Sequence, residues 1–309
     1  MILCVCLSPA VDVTYHVDHL HSSGTTRVRT LTERPGGKAV NVARVLHLLG
    51  EPTRLVAPAG GGTGDQLRRG LDAAGLEATL VRSGRPTRRT VTVVERDGAG
   101  PTTRVDPASL DCWPDLVAAV ETSLDGADVL VISGSVPDGV PENGLAALVS
   151  AGRRRSMPVL VDTHGPWLVS ALAAGASVVK PNAHELTAIS GDDDPVRAAR
   201  ALALSWSATV VASLGEDGAV AASPTGVWEA RPAEILVGNP TGAGDAMVAG
   251  LAQGLLHDPL AAASPERMLR DAVALSAAAV LSPEAGDVDP ADHAAQLPGV
   301  VVRAWDGVQ

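Results

Sequence analysis

Asn239-Pro240-Thr241-Gly242-Ala243-Gly244-Asp245-Ala246-Met247 carries the clearest chemical signal in the chain. Two glycines around an alanine leave the backbone free to turn tightly, and the apolar spacing of Met247, Val248, Leu251 and Leu255 predicts a helix that starts at once. The exposed N–H groups and positive end of such a helix suit an anion whose charge grows during a reaction. Asp245, in the first turn, is placed to serve as a base. Taken alone, the same string is also an ordinary loop-to-helix junction with an acidic first turn.

A second Gly-rich turn, Pro35-Gly36-Gly37-Lys38-Ala39-Val40-Asn41, leads into helical spacing over Val42 to Leu49, with Gly50 as a stop. The helix dipole opposes a lysine at that position, so Lys38 implies a bound anion. The chain has only two lysines against 22 arginines, and Lys38 and Lys180 both fall in such polar motifs, as do three of the four asparagines (Asn41, Asn182, Asn239). Neither G-x-x-x-x-G-K-[ST] nor G-x-G-x-x-G occurs, which excludes a P-loop and the dinucleotide fingerprint.

These groups need a large scaffold. At 309 residues with 46% hydrophobic content the chain supports one large core plus an appendage, and a net charge of -11 argues against nucleic acid or an anionic membrane as partner. Three cysteines make no disulfide framework; Cys4 and Cys6 share one face of a strand and are expected as buried thiols. With no basic leader and no apolar run of membrane length, the expected location is cytoplasmic.

Ile2 to Leu7 reads as a buried strand, which would place Asp12 at the C-terminal edge of a sheet. Residues 13–35 and 86–108 are β-branched and polar and are expected to form a four-stranded lid with a turn around Gly98, separate from a core of 1–12, 36–85 and 109–309. His16, His19 and His21 are expected to face solvent. A one-layer lid leaves a face uncovered and implies a homodimer through it. After Ser109, short apolar strands alternate with helices up to two closing helices, Ala246 to Leu256 and Pro265 to Leu281. The fold class expected is α/β: a doubly wound, mainly parallel sheet covered on both faces, with a small inserted β-sheet. Its strand ends would collect Asp12, Ser133-Gly134-Ser135, Asp162-Thr163-His164, Lys180-Pro181-Asn182-Ala183-His184-Glu185 and Ser213-Leu214-Gly215 along one edge as a cleft.

In order and spacing, Leu7-Ser8-Pro9-Ala10-Val11-Asp12, Gly36 to Ala43, Ser133 to Pro137, Val179 to Asn182, Ser213 to Gly215 and Thr241 to Asp245 resemble the ribokinase-like (PfkB) sugar kinases. The likeness spans nearly the whole chain and is greatest to the phosphosugar branch: 1-phosphofructokinases, tagatose-6-phosphate kinases and the minor bacterial 6-phosphofructokinases. The resemblance implies ATP and Mg²⁺ as cofactors. It implies Asp245 as base, with the amides of Gly242, Ala243 and Gly244 as an anion hole. Asp12, Gly37, Asn41 and Ser135 would bind the sugar, Arg88 its phosphate with help from Lys38, and Arg27 would reach across from a partner's lid. Lys180, Asn182, Ser213 and Gly215 would line the nucleotide. Glu185 and Asn182 would organise the metal, through water.

Some positions depart from the branch pattern: Ser8, Ala39, Thr90, Thr92, Asp106-Pro107-Ala108 and Ala246. The expected activity is phosphorylation of D-fructose 1-phosphate at its 6-hydroxyl. The alternatives are a 6-phosphofructokinase, a tagatose-6-phosphate kinase, or a non-catalytic phosphosugar-binding protein on the same fold.

Overall fold

The computed structural model describes residues 1–21, 23–96, 102–258, 260–282, 284 and 286–305. The strands are β1 (Ile2–Val5), β2 (Ala10–Val17), β3 (Val28–Gly36), β4 (Thr53–Ala59), β5 (Ala78–Arg82), β6 (Arg88–Glu95) and β7 (Thr102–Val105). They continue with β8 (Val129–Ser133), β9 (Val159–Asp162), β10 (Val178–Val179), β11 (Thr209–Ser213), β12 (Ala219–Ser223), β13 (Gly226–Arg231) and β14 (Val301–Ala304). The helices are α1 (Lys38–Leu48), α2 (Gly61–Ala73), α3 (Trp113–Ser123), α4 (Gly144–Arg154) and α5 (Pro166–Ala173), then α6 (Ala183–Ser190), α7 (Pro195–Trp206), α8 (Ala243–His257), α9 (Glu266–Leu281) and α10 (Pro290–Gln296).

Period-2 side-chain alternation sets the layers. Ile2, Cys4 and Cys6 point into one apolar cluster, built with α1, α2, α8 and α9, while Leu3, Val5 and Leu7 point into another, built with α3 to α7. Burial on both faces explains why these strands are continuous apolar runs. The three thiols are buried and unpaired with one another, as expected. The order in the large sheet is β14-β13-β12-β11-β10-β9-β8-β1-β4-β5, parallel from β11 to β5 and antiparallel from β11 to β14. From β1 the chain first winds outward through β4 and later returns beside β1 as β8, so the strand order reverses between β1 and β8. Ligands bind at such a switch point.

The second sheet runs β3-β2-β6-β7. β2 and β6 pair parallel because the chain passes through β4, α2 and β5 between them, the long crossover that parallel neighbours need. The expected turn around Gly98 lies outside the described residues. His16, His19 and His21 are exposed.

The structure also differs from the sequence reading. Asp12 does not end a core strand: it is the third residue of β2, opposite Arg34 on one side and Thr90 on the other. The apolar run of β1 stops early, and the chain crosses straight into the second sheet. α1 begins at Lys38 rather than Val42, and α8 at Ala243 rather than Ala246. Beyond α9 lie α10 and β14, which the sequence reading left unmarked, although Asp289 and Pro290 are a cap and a first-turn proline for α10. β14 is a four-residue edge strand whose identity comes from pairing with β13.

Candidate active site

Gly242 adopts φ 89° and caps α8, so Ala243, Gly244 and Asp245 form its first turn. Only glycine adopts that φ without strain. Of the three amides expected to form an anion hole, that of Ala243 donates to the Pro240 carbonyl at 3.2 Å. Asn239 accepts from the Thr241 amide through its side chain, and its own amide donates to Val280 O, fixing the loop to the end of α9.

Asp245 is buried, and its Oδ2 accepts a 2.8 Å hydrogen bond from Nδ2 of Asn41 on α1. Burial, seconded by the charge of Asp162, raises its pKa to about 6, against the opposing pull of Asn41, Lys38 and Lys180. A carboxylate so tuned is a base near neutrality. Asp162, at the end of β9, is itself fully buried. It accepts from Ser133 Oγ at 2.9 Å and lies 3.3 Å from Lys38 Nζ and 3.4 Å from Lys180 Nζ. Burial alone would raise its pKa, but the two ammonium groups hold it below the ordinary value. The same carboxylates, with Glu185, keep Lys38 above its usual value despite desolvation. Lys180 is buried beneath the anion loop: a Cβ on Gly244 would fall 3.7 Å from its Nζ. Both lysines of the chain therefore flank one carboxylate beside the glycine turn, and Asp245 shares their field.

The second group surrounds Asp12. A Cβ at Gly36 would fall 2.0 Å from Asp12 Oδ2, so this glycine is required by the carboxylate lying across it. Gly37, at φ 102°, packs against Pro9 and the Ser8 carbonyl. Burial raises the Asp12 pKa, opposed by a hydrogen bond with Thr90 and by Arg44 and Arg88. Arg88 opens β6 and donates to Ser8 O at 3.2 Å, while its buried Nε and the buried Oγ of Ser8 have no protein partner. Orphaned buried groups of this kind mark a place for a ligand or water. Thr92 pairs with Thr103 across the strands at 3.2 Å.

A third group lies at α6. Asn182 and Glu185 form a capping box, Oδ1 accepting from the Glu185 amide (2.8 Å) and Oε2 from the Asn182 amide (2.9 Å). Asn182 also bridges to Ser213, whose strand runs into Gly215 at φ 64°. Among the described residues no group of three or more His, Cys, Asp or Glu is placed to hold a metal ion. Mg²⁺ takes one or two protein donors and fills its shell with water and phosphate, so Glu185 and Asn182 fit such an ion held through water. Ser135 follows Gly134 at the mouth of β8, and Arg27 is exposed just before β3.

Residues 1–292 match the pfkB family of carbohydrate kinases. The chain belongs to this family. Among solved structures it is similar to phosphofructokinase-2 from Escherichia coli in complex with fructose-6-phosphate (30% identity, TM-score 0.85, 96% of this chain and 98% of that one). It is similar to the tetrameric inhibited form of the same enzyme (31%, 0.87, with 96% and 98% covered). It is also similar to a possible 1-phosphofructokinase from Thermotoga maritima (25%, 0.86, with 99% and 100% covered). The chain is thus a sugar kinase, a phosphotransferase with a hydroxyl acceptor, close to the phosphofructokinases, and the family implies ATP as donor.

For this pfkB kinase the sequence reading missed Asp162 as a site residue, although its motif was placed at the cleft. The signal was the pair of lysines, since two cations in a lysine-poor chain need a shared anion when both are drawn under the fold. Ser133 and Thr90 also went unassigned. Two expected outcomes arise here. First, kcat rises with pH through a limb near 6 as Asp245 loses its proton; a pH profile of kcat that stays flat from pH 5 to 7 removes Asp245 as the base. Second, Gly36→Ala displaces the Asp12 carboxylate and raises KM for the sugar about tenfold or more while thermal melting stays cooperative, as steady-state kinetics on the purified variant will report.

Proposed function

We propose that this kinase transfers the γ-phosphate of ATP to the 6-hydroxyl of D-fructose 1-phosphate, giving fructose 1,6-bisphosphate and ADP. The observation that carries the reading is the placement of a buried carboxylate of raised pKa and a partly orphaned arginine around one helix N-terminus. Asp245 is bound to Asn41 of α1, and Arg88 is bound to the Ser8 carbonyl that packs on Gly37 at the start of α1.

Each group then has a task. Arg88 offers a planar, charge-fixed donor set to the phosphate already on the sugar, and Asp12 and Ser135 orient the hydroxyls. Asp245 accepts the proton of the attacking hydroxyl late, as the new O–P bond forms and the bond to ADP breaks. The amides of Gly242 and Gly244, backed by the Lys180 ammonium, stabilise the charge on the transferring phosphoryl group. Lys38 supports the same field. Glu185 and Asn182 would hold Mg²⁺ through water, and the ion supplies charge neutralisation on the nucleotide phosphates. Ser213 and Gly215 line the nucleotide.

A second reading, fructose 6-phosphate as acceptor, is favoured by the higher identity to phosphofructokinase-2. Residues 13–35 and 86–108 act as a lid over the sugar. The exposed Val28, Leu31 and Val105 on the small sheet support a homodimer through that lid, with Arg27 serving the partner's site. No helix among the described residues is long and apolar enough to cross a membrane, which is compatible with a cytoplasmic enzyme.

The test is ATP-dependent phosphorylation of fructose 1-phosphate, fructose 6-phosphate, tagatose 6-phosphate and free fructose, with Arg88→Ala alongside. The expected result is the highest kcat/KM for fructose 1-phosphate, lowered about a hundredfold or more in the variant, chiefly through KM. Preference for fructose 6-phosphate selects the second reading. Equal use of free fructose removes Arg88 from its role.

A further inference from the structure

Asn41 is the only described side chain that hydrogen-bonds the Asp245 carboxylate, and its own position is set from behind. A Cβ at Gly286 would fall 2.5 Å from Asn41 Oδ1 and 2.6 Å from its Cγ, so Gly286 packs directly against the amide. Neighbouring residues of that loop, Glu284 and Asp287, both pair with the guanidinium of Arg34 on β3, Asp287 at 3.4 Å. Arg34 faces Asp12 in the register of the small sheet. Arg44, one turn beyond Asn41 on α1, donates to Pro35 O and lies in the field of Asp287 and Asp12. A continuous path therefore runs from the lid sheet through an ion-paired loop to the residue that aims the base.

We propose that Arg34, through Glu284 and Asp287, is a positioning residue that couples the seating of the lid sheet to the orientation of Asn41 and so of Asp245. The inference rests on the kinase reading for its catalytic consequence, not for its geometry. Magnitudes separate it from a stabilising role. Arg34, Glu284 and Asp287 are each about a third exposed, and ion pairs of that kind contribute little to stability. Misplacing a reacting group by about an ångström costs up to about a hundredfold in rate. The link should thus show in kcat rather than in melting.

The experiment uses Arg34→Gln, the double variant Glu284→Gln/Asp287→Asn, and Gly286→Ala, which presses on Asn41 and strains the loop without removing any of the paired charges. Each is compared with wild type in two readouts. The first is kcat and KM with the best fructose phosphate. The second is the titration of the Asp245 carboxyl carbon by NMR, assigned through Asp245→Asn and needing no substrate. We expect kcat to fall about tenfold with KM changed less. We expect the Asp245 midpoint to move up in all three, because Asn41 is the hydrogen bond that lowers it while Asp162, Lys38 and Lys180 are untouched. An unmoved midpoint in all three variants overturns the proposal, whatever the activity. Absence of turnover with any sugar phosphate, with the midpoint still moving, would instead overturn the functional reading and leave the coupling standing.

Discussion

Asp245→Asn lowers kcat by about 10³- to 10⁴-fold and, at pH 7, makes the protein harder to melt. The first effect follows from the general-base role proposed for Asp245 in a reaction whose nucleophile is a hydroxyl. The second follows from linkage. The Asp245 pKa is about 6 in the fold against an ordinary 3.8, so the folded state binds this proton more tightly than the unfolded chain. That contribution to stability is fully present below pH 3.8 and is lost as pH rises through 6, leaving an ionised, buried carboxylate that costs on the order of 3 kcal/mol at neutrality. Asparagine removes the charge and retains an oxygen for Asn41. Calorimetry at pH 7 should therefore show a midpoint several degrees higher in the variant, narrowing toward pH 4. A lower midpoint at pH 7 would refute the burial cost, and unchanged turnover would refute the base.

Asp162→Asn has the opposite balance. Lys180 is almost fully buried and Lys38 partly so, and both lose their shared counter-ion. Removing one member of a buried ion cluster leaves an uncompensated charge and costs about 3–5 kcal/mol. Because Asp162 titrates below its ordinary value in the fold, its contribution is present above pH 3.8 and disappears as pH falls through the lowered value. The same substitution removes the like charge that helps raise Asp245, so the acid limb of kcat moves below pH 6. Urea unfolding measures the first effect and a pH profile the second. Loss of stability with an unmoved limb would make Asp162 a structural anchor and nothing more.

These two carboxylates also mark how far the sequence could be read. Gly242-Ala243-Gly244-Asp245 was legible because its residue types are local: a turn that only glycine tolerates, an acidic first turn and an amphipathic helix all lie within one window. Asp162 was not, because its role depends on Ser133, Lys38 and Lys180, which lie at the ends of β8, α1 and β10 and meet only when the sheet is formed. Glu185 shows the reverse case: the family resemblance implies a metal-organising pair with Asn182, and the fold places the two in a capping box.

The sequence by itself determined the alternation of strands and helices, the two-sheet architecture and the family, and it singled out the glycine turns and Asp245 as the groups to which a phosphate-handling role is proposed. Hydrophobic periodicity and backbone conformational limits act over a few residues, so they can be read in order. Tertiary structure alone decided four things. Asp12 belongs to the small sheet, because where β1 yields to β2 depends on which partner strands are available. The edge strand β14 exists only through β13. Asn41, expected from the family resemblance to bind the sugar, also donates to Asp245, because α1 and α8 pack side by side. The pKa of Asp245 is raised because desolvation and the field of Asp162 are sums over neighbours that are distant in sequence, and such sums have no local signature.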